Sequence, residues 1–172
     1  MVEAITASTG KGDVNFFHAA ILEVDDKGVI WVIDASPEKG VSRNPLSVFL
    51  ADESGTDNIY EVMRLRDNSL SGEFVENSKQ YIGQKYDHTF YPDNDLCYCT
   101  ELIYDSYVKD GKHLFDAAPM NFKNSEGEYP DYWKESFEKM GVPVPQGVPG
   151  TNPQDMHSSD RLEKVDVDLK KL

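Results

Sequence analysis

The sequence is poor in cysteine, in basic residues and in long apolar runs, and each shortage excludes something. It has 2 cysteines, Cys97 and Cys99. A single residue, Tyr98, separates them. They therefore make no disulfide framework, and two are too few for a structural zinc site. The 4 histidines show neither zincin nor zinc-finger spacing, so no metal or other cofactor is expected. Lys and Arg total 17 against 31 Asp and Glu, for a net charge of -14. Such a surface repels a phosphate backbone and excludes nucleic acid as a partner, while a neutral or cationic small molecule is tolerated. No apolar stretch approaches the roughly 18 residues of a membrane helix, so no transmembrane segment is expected. The opening "MVEAITASTGKGD" has no basic-then-apolar export pattern and no evident first element of a fold, and is read as a start from which a signal or leading strand has been removed.

What is present is a globular balance. The 172 residues are 39% hydrophobic and 28% charged, enough for one domain over 1–172 with a real core. Residues 141–172 read as a proline-rich and polar tail packing on that domain. The segments "NFFHAAILEV" (15–24) and "VIWVIDAS" (29–36) flank "DDKG" and predict a β-hairpin. In "SRNPLSVFL", Asn44 as cap and Pro45 at the first helical position predict a short helix. "NIYEVMRL" (58–65) reads as a third strand. Phe74, Val75, Ser78, Tyr81 and Ile82 form one stripe of a helix over 69–82 that Gly83 stops. A further helix begins at Cys99, and "PDYWKESFEKMG" (130–141) is another. The closing "DRLEKVDVDLKKL" fits a last strand or a frayed helix. Strands precede helices in blocks, which indicates α+β.

The stretch "DLCYCTELIYDSY" (95–107) carries the chemical interest. On a helix starting at Cys99, residues Cys99, Leu102, Ile103, Ser106 and Tyr107 share one face. Cys99 then heads a buried stripe at a helix N-terminus, where unpaired N–H groups and the positive end of the macrodipole favour a thiolate. The backbone N–H groups of 98–100 are candidate donors to an oxyanion. Glu101 in the same turn would oppose the thiolate unless a structural hydrogen bond holds it elsewhere. The competing reading is that both thiols are buried filler, and Cys97, with no helix end beneath it, fits that reading best.

A nucleophilic cysteine needs a base that a third group orients. His88, His113 and His157 fall in an aromatic loop, a turn and a polar tail. His18 falls in the first strand. A three-residue turn Asp26-Lys27-Gly28 pairs Val24 with Ile30, Ala20 with Asp34 and His18 with Ser36. His18 and Asp34 then share a face within side-chain reach, which makes Asp34 the candidate orienter and Ser36 the fallback.

These residues resemble a known family. "DLCYCTELIYDSY" is similar to the "YCSEL" nucleophile helix of NlpC-type papain-like cysteine hydrolases, specifically the circularly permuted YiiX-like branch, in which the His strand precedes the Cys helix. "FFHAAILEV", "VIWVIDAS", "IGQKYDHTF" and "VPVPQGVPGTNP" stand where that branch has its His strand, its acid-bearing strand, a Gly-Lys-Pro-Tyr-Asp segment and a proline-rich tail. The likeness runs from about residue 4 onward. It implies an α+β permuted papain-like fold, with an antiparallel sheet or barrel packed against the nucleophile helix and further helices. It implies Cys99 as nucleophile, His18 as base and Asp34 as third member, with Tyr86, Asp87 and Tyr98 at the substrate cleft. It further implies a bacterial protein of the periplasm or cell envelope. The implied substrate is a small peptide or acyl compound, first among them the peptides of peptidoglycan. Lipid-ester or thioester hydrolysis, acyl transfer and a silent binding module are the alternatives. Three positions depart from the family pattern. Ala19-Ala20 replace Val-Gly, Asp34 replaces a longer Glu, and the leading Gly-Asp-Leu-Leu-Phe strand is missing, since "GKGD" (10–13) lies too close to His18.

Overall fold

The computed structural model describes residues 1–11, 13–52 and 58–172, so Gly12 of "GKGD" lies outside the described residues. The chain opens with helix α1 (Val2–Thr9), where the sequence showed no element. Strands β1 (Ile21–Val24), β2 (Ile30–Ser36) and β3 (Gly40–Pro45) follow, then helix α2 (Leu46–Asp52) and strand β4 (Val62–Leu65). Helices α3 (Ser71–Lys79) and α4 (Cys99–Ser106) come next, then the short strands β5 (Val108–Lys109), β6 (Lys112–His113) and β7 (Ala118–Pro119). Helix α5 (Asp131–Met140), strand β8 (Pro149–Gly150), helix α6 (Pro153–His157), strand β9 (Leu162–Val165) and a 3-10 turn (Leu169–Lys171) complete it.

The first hairpin has the expected register. Val24 faces Ile30 and Ile21 faces Ile33. Gly28 takes a φ of 78° and donates to the Asp25 carbonyl at 2.9 Å, while Oδ1 of Asp25 accepts from the N–H of both Lys27 and Val29 at 2.9 Å. The first strand is shorter than predicted, beginning at Ile21 rather than at 15. Residues ahead of it are drawn off the sheet: the Phe16 N–H donates to Oε1 of Gln154 at 3.0 Å, and the Phe16 ring stacks on His157 at 4.2 Å. His18 therefore sits on extended chain leading into β1, not within it.

The short helix expected from "SRNPLSVFL" is present as α2 but begins at Leu46 rather than Pro45, because Asn44 and Pro45 end β3, which pairs along β2 from Ser36–Gly40 to Trp31–Pro45. Asn44 donates to the Ser42 hydroxyl at 2.9 Å instead of capping. Pro45 is tolerated because β3 is an edge strand in the order β1-β2-β3. The strand predicted over 58–65 covers Val62–Leu65, and its antiparallel partner is β9 from the chain's far end. The closing segment is thus strand first and a 3-10 turn after.

Gly40 marks a close approach. Its φ is 67°, and a Cβ there would collide with the Gln84 carbonyl oxygen. The neighbouring backbone is cross-tied, with the Val41 N–H donating to Gln84 O at 2.9 Å and the Gly83 N–H to Val41 O at 2.8 Å. Gly40→Ala is expected to cost about 2–4 kcal/mol, since left-handed strain and a backbone clash add. A urea melt showing a loss under about 0.5 kcal/mol would contradict this reading.

The core forms where α4 packs on β2 with α3 alongside. Leu102, Ile33 and Phe74 are fully or almost fully buried there, each stabilising by about 1.5–3 kcal/mol. Phe90, Phe122, Trp133 and Phe137 form an edge-to-face aromatic cluster that seats α5 beside this layer, with centroids such as Phe122–Trp133 at 5.2 Å. Gly141 closes α5 at a φ of 70°. Among the described residues, no helix is long and apolar enough to cross a membrane.

Candidate active site

The entry to α4 is built by a short parallel bridge between Tyr86 and Cys97. The Asp87 N–H donates to Cys97 O at 3.1 Å and the Cys97 N–H to Lys85 O at 3.4 Å. Cys97 is 1% exposed, and its thiol donates to Oε1 of Gln84 at 3.2 Å. Burial, then the charges of Glu101, Asp105 and Asp87, push its pKa up to about 12. It is a neutral packing thiol. Cys99, two residues on, is the first residue of α4. The expected stripe is real: Cys99, Leu102, Ile103 and Ser106 are all buried.

Glu101 does not face the thiol as an uncompensated charge. Its Oε2 accepts from the Tyr98 N–H at 3.4 Å, in the manner of a capping box. Burial first, and then the neighbouring carboxylates Asp87, Asp105 and Asp93, raise its pKa to about 8 against the one backbone bond that lowers it. At neutral pH it is largely uncharged. The same bond occupies the Tyr98 N–H, and the first intrahelical bond runs from the Leu102 N–H to Tyr98 O, so the N–H groups of Cys99, Thr100 and Glu101 point out of the helix end without a carbonyl partner inside it.

A raised folded-state pKa for Glu101 means that its contribution to stability is whole below about 4.5, the ordinary value, and lost as pH rises through about 8. Glu101→Gln keeps the cap geometry and removes the titration. The variant's melting temperature is expected to lose the decline between pH 5 and 9 that this group imposes on the native protein. An unchanged pH profile would show that Glu101 is already ionised in the fold.

His18 reaches the same place from the opposite side. Its Nε2 lies 3.4 Å from Oδ2 of Asp34 on β2, and the ring also lies within hydrogen-bonding range of Cys99. Burial pulls the His18 pKa down, but hydrogen bonds to Asp34 and then to Cys99, with their charges, push it up to about 10. Asp34 and Cys99 together thus favour the protonated form of the imidazole. The His18 side chain remains 28% exposed, so a substrate can approach it. Asp34 is itself steadied by the Ser42 hydroxyl, which donates to Oδ1 at 3.3 Å from the facing position on β3. Ser36, at the end of β2, pairs with Gly40 across the sheet. His88 packs on Tyr86, His113 on Tyr104 and His157 on Phe16, with His157 also 2.9 Å from Glu61.

A narrow cleft of about 50 Å³ runs from Cys99 beneath α1. Tyr86 and Tyr98 line it, as do Phe17, Met120 and Trp133. Burial raises the pKa of both tyrosines, so they remain neutral hydroxyls. The Tyr98 hydroxyl accepts from the Thr151 N–H at 3.0 Å. Asp87 is not among the lining residues. It is fully buried, with Oδ1 accepting from the N–H and hydroxyl of Thr89 at 2.7 and 2.6 Å, and so shapes the loop below the cleft. Ile5, Ser8 and Thr9 of α1 roof the cleft. Nothing in the sequence tied that segment, or Met120, Trp133 and Thr151, to Cys99, since each comes from a separate stretch with no motif.

The model of the permuted papain-like amidases, YaeF/YiiX, C92 family, matches residues 2–166. The chain belongs to this family. The YaeF/YiiX fold is seen directly in one solved structure, described as the metalloprotein yiiX from Escherichia coli O157:H7. It superposes with a TM-score of 0.74 at 22% identity, covering 95% of this chain and 87% of that one. At that identity the likeness speaks to the fold, which is the permuted papain-like α+β arrangement of the YiiX-like branch. No curated protein matches. Among the described residues of this YaeF/YiiX-type chain, no three His, Cys, Asp or Glu side chains group as metal ligands.

Proposed function

We propose that this member of the C92 amidases is a cysteine hydrolase using Cys99, His18 and Asp34, cleaving amide bonds of small peptides through an acyl-enzyme. The observation that carries the proposal is a meeting of three groups: Cys99 heads α4, the His18 ring lies beside it, and Nε2 of His18 is 3.4 Å from Oδ2 of Asp34. An imidazolium beside a thiol at a helix N-terminus holds a thiolate ready without a separate deprotonation step. The thiolate attacks the scissile carbonyl carbon. The developing oxyanion is taken by the first-turn N–H groups of Cys99 and Thr100. His18 gives its proton to the leaving amine, and the C–N bond breaks to leave a thioester. Neutral His18 then removes a proton from water, which attacks the thioester and releases the acid and the thiol. Asp34 keeps the imidazole oriented and stabilises its charge throughout.

Cell-wall peptides of bacteria are the substrate class we propose, and the cell envelope the place of action. Tyr86 and Tyr98 would contact the substrate, with Asp87 holding the loop that carries Tyr86. The apolar walls of the cleft favour a second class, acyl esters or thioesters, which the same acyl-enzyme would handle by hydrolysis or acyl transfer. Turnover of a panel of muropeptides alongside fatty-acyl esters tests both. Amine release from muropeptides, lost with Cys99→Ala, supports the first. Cleavage of esters alone moves the assignment to the second. Binding without turnover of either makes the protein a silent receptor.

A further inference from the structure

We infer that the cleft beneath α1 receives a short, uncharged, apolar group attached to the substrate's scissile carbonyl, and selects against charged groups there. The inference rests on Cys99 being the nucleophile. Its ground is a contrast. The chain carries 17 basic and 31 acidic residues, yet among the described residues none that lines this cleft is Asp, Glu, Lys, Arg or His. A carboxylate or ammonium entering it would lose its hydration and meet no counter-ion, a heavy cost. Aromatic faces from Phe17, Phe90, Phe122 and Trp133 offer contact to hydrocarbon instead.

Three buried polar atoms in the same walls have no hydrogen-bond partner among the described residues: the Thr100 hydroxyl, the Thr151 hydroxyl and the Trp133 indole N–H. An indole N–H can only donate, so it calls for an acceptor oxygen. A neutral amide or ester carbonyl beside the apolar group supplies one without bringing a charge. The cleft holds about 50 Å³ with α1 in place, space for a few waters or a short hydrocarbon branch. α1 is pinned over it by the Asn121 side-chain amide donating to Ser8 O at 2.9 Å and by the Lys11–Asp155 ion pair. The shared chemistry fits a hydrophobic amino-acid side chain or a short acyl chain.

The surface charge and the cleft predict opposite preferences, and this makes the test sharp. Cys99 would be alkylated with a set of chloroacetamides differing only in the N-substituent: methyl, butyl, 4-aminobutyl, 3-carboxypropyl and dodecyl. Each reaction forms one S–C bond and expels chloride, and rates are read by mass spectrometry. An acidic surface acting alone would favour the aminobutyl reagent. The cleft favours butyl over both charged reagents by at least about tenfold, with no further gain for dodecyl. Thr9→Asp, on the roof of the cleft, should then raise the aminobutyl rate relative to butyl by at least about fivefold, a gain that misfolding cannot imitate. Chloroacetyl-leucinamide outpacing the butyl reagent would identify a peptide as the source of the group, and the reverse a short acyl chain. Aminobutyl as fastest reagent, a dodecyl rate well above butyl, or no response to Thr9→Asp would overturn the inference and leave the nucleophile assignment intact. If even the methyl reagent fails to label Cys99 faster than Cys97, the proposed function falls, and this inference with it.

Discussion

Cys99→Ala is expected to lower kcat/KM for amide cleavage by about 10⁴-fold or more, with folding stability changed by no more than about 2 kcal/mol. The large kinetic effect follows from the role of the thiolate. It forms the covalent bond, and no other side chain on the α4 terminus can replace it. The small effect on stability follows from the modest volume of one sulfur at the margin of a cleft rather than in the middle of the core. Cys97→Ala is the matched control. That thiol is more deeply buried and bonds Gln84, so its removal should cost about 1–3 kcal/mol and leave kcat within a few-fold of native. If the two variants lose activity equally, the effect is structural and the nucleophile assignment fails.

The second large effect concerns His18. In the native protein the imidazolium persists to near pH 10 because Asp34 and Cys99 outweigh the cost of burial. Cys99 alkylation by iodoacetamide should therefore be nearly flat across pH 6–9. His18→Ala removes the cation that keeps the thiolate, and the rate at pH 7 should fall by about 10²-fold or more, then rise tenfold per pH unit as for an ordinary thiol. Asp34→Asn should give a smaller loss, about tenfold, with the His18 pKa lowered, because the Asp34 hydrogen bond is the largest contribution raising it. The same shift has a consequence for stability. A His pKa raised in the folded state stabilises fully below about 6.5, and that contribution is lost as pH rises through about 10. Native protein should lose stability in that alkaline window, and His18→Ala should not. A ring nitrogen chemical shift showing neutral His18 at pH 8 would defeat both expectations.

Much of the site was readable because its parts are local. The face shared by Cys99, Leu102, Ile103 and Ser106 follows from helical spacing alone. The meeting of His18 with Asp34 came from counting across a three-residue turn, since an even-length turn would have put them on opposite faces. The misreadings are also physical. Asn44 and Pro45 carry the signals of a helix start, and a helix does follow from Leu46, yet these two residues themselves pair with β2, as an edge strand permits Pro45. The extended chain through His18 has strand composition, but Gln154 and His157, well over a hundred positions later, hold it off the sheet.

By itself the sequence determined the α+β class, the thiol at a helix N-terminus, the imidazole and carboxylate that can face each other, and the net negative charge. These depend on periodicity, turn length and composition, which act over a few residues or over the whole chain at once. The tertiary structure alone decided that α1 roofs the cleft, that β4 finds β9, that burial raises the Glu101 pKa while its carboxyl accepts from the Tyr98 N–H, and that among the described residues no charged side chain lines the cleft. Those outcomes arise from contacts between distant segments and from the desolvation that packing imposes, and neither leaves a local pattern in the order of the residues.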